Sequence, residues 1–180
     1  MIETRKTATA PAQTPTGLGG QVRLTGYACV TGVPYDVTDF LGQYTETVAI
    51  GAFTRALAEG QDVRLVVNHD GIPLARTASG TLTLREITRP QDDPQCLGQT
   101  GLWIDASIDT AGSPLAQSAQ SALNRRDMSQ MSFAFACSAT GQTWNKEYTE
   151  RTVTDLDLFD VSIVTYPASS TTSAGIDQAA

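Results

Sequence analysis

One histidine, His69, occurs in the 180 residues. It stands in VVNHDGIPLARTASGTL (66–82), after an apolar run and before a Gly-Ile-Pro turn. Imidazole is the side chain best suited to exchange protons near neutral pH, so His69 is the natural candidate for a general base. Such a base needs a nucleophile to deprotonate and a third group to orient it. Ser132 fits the first role: it lies in QMSFAFA (130–136), between Met131 and Phe133, where a strand would give its hydroxyl a defined direction. Asp160, in the apolar stretch LFDVSIV, fits the second, because an acid there needs a partner. Asp70 is next in line, but a neighbour on an extended strand points to the opposite face. Plainer readings stand beside these. His69 could be structural or on the surface, Ser132 could be a serine on the less buried strand face, and Cys137 is a rival nucleophile. Cys137 shares a face with Phe133 and Phe135, which argues for a place in the core.

Composition narrows the classes. Hydrophobic content is 41%, charged content 17% and net charge −7, as in an ordinary globular chain. The twelve basic residues are scattered, which argues against nucleic-acid binding, since that needs clustered Lys and Arg. No apolar run is long enough for a membrane helix. MIETRKTATAPAQTPTG lacks the apolar core of a secretory signal, so a cytosolic chain is expected. The odd number of cysteines (Cys29, Cys96, Cys137), with no CxxC pair and one histidine, argues against structural zinc and for reduced thiols. HExxH, GxSxG, Walker A and GxGxxG signatures are missing, so no cofactor is expected. The carboxylates, among them Glu46, Asp93, Asp155 and Asp157, are spread out and expected on a solvated surface.

Periodicity supplies the elements that must position these residues. Period-two or short apolar patterns predict strands over 22–30, 63–69, 81–87, 102–109, 131–138, 143–153 and 157–165. Helical spacing predicts 51–60, with Phe53, Ala56 and Leu57 on one face, and 112–127. The second helix opens with Ser113 as N-cap and Pro114 at the first position, and its apolar face reads Leu115, Ala119, Ala122 and Leu123. Loops are expected at Gly32–Tyr35, Gly71–Pro73 and Pro90–Gly98. Residues 1–20 read as a flexible arm, 21–168 as the folded domain and 169–180 as a flexible tail. Many strands and two helices predict a mainly β (α+β) fold, a barrel or sandwich with flanking helices.

These segments, in this order, resemble the caudovirus prohead serine proteases. The likeness rests on GYA (26–28), YDVTDFLGQYTETVAIGAF (35–53), NHD (68–70), PLARTASGTLTL (73–84), QMSFAF (130–135) and DVSIVTYPA (160–168), and spans roughly 22–172. It implies a herpesvirus-protease-like β-barrel surrounded by helices, with Ser132 as nucleophile and His69 as base. The herpesvirus relatives use a second histidine as third member; this chain has none, so Asp160 or a Ser-His dyad is expected. Oxyanion donors would be backbone amides or Arg76, Arg125 or Arg126. The resemblance also implies a serine endopeptidase acting inside the procapsid in the host cytoplasm. Its substrates would be scaffold or delta segments of the major capsid protein, and its own chain. The portal and a second copy in a homodimer are further expected partners. The competing expectations are a non-catalytic capsid assembly factor with the same fold and a cysteine hydrolase using Cys137.

Overall fold

A computed structural model describes residues 3–7, 20–39, 42–166 and 175–176. Its strands, numbered β1 to β13 in chain order, form three sheets. The first runs β1 (Glu3–Thr7), β9 (Gln130–Ala136), β12 (Asp157–Val164), β5 (Arg64–Val67), β6 (Asp70–Arg76). In it β12 and β5 are parallel, and the other pairs are antiparallel. The second runs β10 (Gln142–Trp144), β11 (Glu150–Val153), β4 (Gly42–Val48), β3 (Tyr35–Asp39). The third runs β13 (Gly175–Ile176), β2 (Gln21–Val30), β8 (Gly101–Asp109), β7 (Leu82–Ile87). Two α-helices, α1 (Thr54–Ala58) and α2 (Pro114–Asn124), complete a mainly β, α+β fold. No helix among the described residues is long and apolar enough to cross a membrane.

The expected barrel does not form among the described residues. Closure requires the outermost strands of a sheet to bond to each other. Here each sheet has two open edges: β1 and β6, β10 and β3, β13 and β7.

The core is built on β9. Met131, Phe133 and Phe135 alternate onto one face and are fully buried. Phe133 stacks on Phe135 at 5.1 Å and meets Phe53, at the start of α1, edge-on at 5.5 Å. The opposite face of β9 is covered too: Ser132 is 0% exposed and Ala134 1%. Ser132 is thus fully buried, although its face is the less buried of the two, with Gln130 and Ala136 half-buried at its ends.

The observed elements depart from the expected ones in several places. The first helix is five residues, not ten, because Gly51 takes a left-handed φ of 93° and the chain turns until Phe53. In α2 the Ser113 cap accepts from Ala116 N at 3.2 Å as expected. Its buried face, however, is Ala116, Ala119 and Leu123, with Leu115 at the surface. The stretch 143–153 is a hairpin of two short strands, β10 and β11, not one strand. The β3–β4 hairpin and β6 were not anticipated. The regions read as arm and tail contribute β1 and β13. Two carboxylates expected in solvent are buried instead. Glu46 accepts from Tyr35 Oη at 2.5 Å and Arg151 Nη1 at 2.9 Å. Asp93 accepts from the backbone N–H groups of Gln95 and Gln99.

Candidate active site

Three strands of the first sheet bring the candidate residues together. Ser132 lies mid-strand on β9 and is directly opposite Ser162 of β12. Asp160 lies two residues before Ser162, hence on the same face of β12. His69 comes from the connection between β5 and β6. Val67 pairs with Asp70, leaving Asn68 and His69 as a two-residue hairpin loop. Both have positive φ, 52° and 59°, the signature of a type I′ turn. Asn and His tolerate this region better than most residues, yet each such position costs about 1–3 kcal/mol. The Asp-Gly dipeptide at 70–71, the stronger turn signal in the sequence, lies just past the turn. His69 therefore sits at a hairpin tip and not on an extended strand, so the expected alternation of faces between it and Asp70 does not apply.

The tip folds over β12 towards β9. His69 Nδ1 lies 2.7 Å from Asp160 Oδ1, and His69 Nε2 lies 2.5 Å from Ser132 Oγ. The residues are 63 and 91 positions apart along the chain. With Nδ1 protonated and donating to the carboxylate, Nε2 is left to accept from the serine hydroxyl. The His69 and Asp160 side chains are 13% and 19% exposed, so this hydrogen-bonded line is shielded from bulk water. Low local dielectric strengthens such a line when every member is paired.

The other expected residues are placed elsewhere. Asp70 is exposed, and its Oδ1 accepts from Gly71 N at 2.7 Å. Cys137, just past β9, packs partly against the core and donates its thiol to the carbonyls of Asp155 and Ser138. Arg76 is bound through Nε and Nη2 to Asp62, and Arg125 to Asp127 and Ser121. Each would have to leave those partners to meet an oxyanion. Arg126 follows α2 with an exposed side chain and a φ of 62°.

Ser162, Asn68 and Thr165 escaped the sequence reading. Ser162 Oγ accepts from His69 N at 2.9 Å. Asn68 Oδ1 accepts from Thr165 N at 2.9 Å, and Asn68 Nδ2 donates to Thr165 Oγ1 at 3.1 Å. The signal that could have found Ser162 is its spacing of two from Asp160 in an otherwise apolar strand. No group of three or more His, Cys, Asp or Glu among the described residues could hold a metal ion.

No curated protein and no solved structure matches the chain. A family model described as caudovirus prohead serine protease matches residues 9–179, nearly the whole length. A serine placed against histidine and aspartate is what a serine protease needs, and on the strength of that match the chain belongs to the caudovirus prohead serine protease family.

Proposed function

We propose that the chain is a serine endopeptidase working through a Ser132–His69–Asp160 triad. The observation that carries this reading is the continuous pair of contacts, 2.5 Å from Ser132 Oγ to His69 Nε2 and 2.7 Å from His69 Nδ1 to Asp160 Oδ1. His69 takes the hydroxyl proton as Ser132 attacks the scissile carbonyl, then gives it to the leaving amine. Water repeats the cycle on the acyl-enzyme. Asp160 keeps the proton on Nδ1 and stabilises the imidazolium that forms. The tetrahedral oxyanion needs donors aimed at it. Of Arg76, Arg125 and Arg126, Arg126 ranks first because the other two are held by carboxylates. Backbone amides supply the rest.

Family membership supports capsid maturation as the setting, with capsid protein as substrate. The finer reading is that scaffold or delta segments of the major capsid protein, and the protease's own chain, are cut inside the procapsid in the host cytoplasm. Contacts with the portal and a second copy belong to the same reading.

A fluorophosphonate probe with mass mapping tests the chemistry. Label is expected on Ser132 and should vanish in His69→Ala. A correctly folded chain that takes no label would sink the serine protease, and a capsid assembly factor or a cysteine hydrolase using Cys137 would take its place. Co-expression with the capsid precursor tests the substrate: the precursor should be shortened by the wild type and stay intact with Ser132→Ala.

A further inference from the structure

We infer that Ser162, with Asn68, is a positioning device that locks the Asn68–His69 turn onto β12 and so aims the imidazole at Ser132. This rests on the triad reading above. A two-residue hairpin tip is ordinarily the most mobile part of a hairpin. Here it carries the base, and β12 ties it down at successive points. Asn68 N donates to Ile163 O at 2.9 Å. His69 N donates to Ser162 Oγ at 2.9 Å, and that hydroxyl has the carbonyls of Val66 and Ile163, each at 3.3 Å, as acceptors. The Asn68 side chain grips the backbone and hydroxyl of Thr165.

Two features separate this from ordinary turn packing. First, Ser162 is 0% exposed and lies directly across from Ser132 in the β12–β9 register, so the His69 backbone is fixed relative to the nucleophile's own neighbour. Second, Asp160 lies on the same strand. β12 therefore holds His69 twice, by its amide through Ser162 and by Nδ1 through Asp160. With both attachments on one rigid strand, the left-handed turn cannot relax without breaking them. Loss of the Ser162 hydroxyl leaves the His69 N–H unpaired and frees the tip to move. A misplacement of about 1 Å can cost about 100-fold in rate.

The test uses the full chain, with fluorophosphonate labelling of Ser132 resolved into a maximal rate and a half-saturating probe concentration. Ser162→Ala and Asn68→Gly should each lower the maximal rate about 10- to 100-fold and leave half-saturation unchanged. Glycine keeps the positive φ at position 68 and removes only the grip on Thr165, so Asn68→Gly decides the matter if Ser162→Ala does not fold. Ser162→Thr, which returns the hydroxyl, should recover most of the rate. The single histidine gives an independent readout. The proton NMR signal of Nδ1–H bound to Asp160 should be present in the wild type and broaden or vanish in both weakened variants, with the amide spectrum otherwise kept. Wild-type maximal rates and an unchanged imidazole signal in folded Ser162→Ala or Asn68→Gly would overturn the inference. A wild-type chain that takes no label would instead overturn the triad reading itself.

Discussion

His69 holds a left-handed backbone conformation, φ 59°, as the second residue of a type I′ turn. Strain of this kind persists where surrounding structure enforces it, and it gathers at functional sites. In the proposed triad, Asp160, 2.7 Å from Nδ1, is the group that sets the tautomer. Replacing it by Asn keeps the shape but offers an amide N–H towards Nδ1, which favours the proton on Nε2 and blocks acceptance from Ser132. Asp160→Asn is therefore expected to lower kcat about 1,000- to 10,000-fold with little change in KM, measured on a cleaved peptide. An unchanged rate would reduce the machinery to a dyad. The three residues were legible because their types are scarce or misplaced: one histidine in the chain, and a serine and an acid inside apolar strands. Ser162 and Asn68 were not, because they act through a backbone N–H and a cross-strand register that composition does not encode.

At the scale of elements, strands with an alternating or short apolar pattern were readable. β2, β7, β8, β9 and β12 lie within a residue or two of the pattern. The β3–β4 hairpin was missed because its alternation is masked by polar residues. Tyr35, Val37, Tyr44 and Val48 face the core, whereas Thr38 and Thr45 interleave with acids. Glu46, in the middle of β4, broke the apolar pattern although it is fully buried. It is admitted there by Arg151 of β11, whose Nε is also held by Gln142 Oε1 at 2.7 Å and whose guanidinium lies about 6 Å from the Phe135 and Trp144 rings. Removing one partner leaves an uncompensated buried charge, whereas replacing both by apolar groups can restore stability. Glu46→Ala should cost about 3–5 kcal/mol in urea unfolding, and Glu46→Leu combined with Arg151→Met should recover most of it. If Glu46→Ala costs under about 1 kcal/mol, water reaches the Arg151 guanidinium and the pair is not sealed.

The whole molecule depends on how separate open sheets are joined, and α1 is one of the joints. On one side Glu86 of β7 accepts from Gly51 N at 2.8 Å and Thr54 Oγ1 at 2.7 Å. On the other, Arg55 donates to Asp155 and to Asp157 at the start of β12, about a hundred residues along the chain. The helix thus links β7 of the third sheet to the strand that carries Asp160. No sequence pattern announces such a joint, since its partners are ordinary surface acids until the fold brings them together. The joint is open to a pH test. Hydrogen bonding from Arg55, and then from Gln61, holds the Asp157 carboxyl below its ordinary value. A carboxyl depressed in the folded state stabilises fully above the unfolded value of about 4, and its contribution is lost as pH falls through the folded value. Arg55→Met removes that contribution at every pH. The wild type should therefore melt at a higher temperature than the variant at pH 7. The gap should hold down to about pH 5 and close progressively below about pH 4. Because these side chains are about half exposed, the gap should also shrink in high salt. A gap independent of pH across this range would mean that Arg55 supports the joint by packing its aliphatic stem and not by its charge.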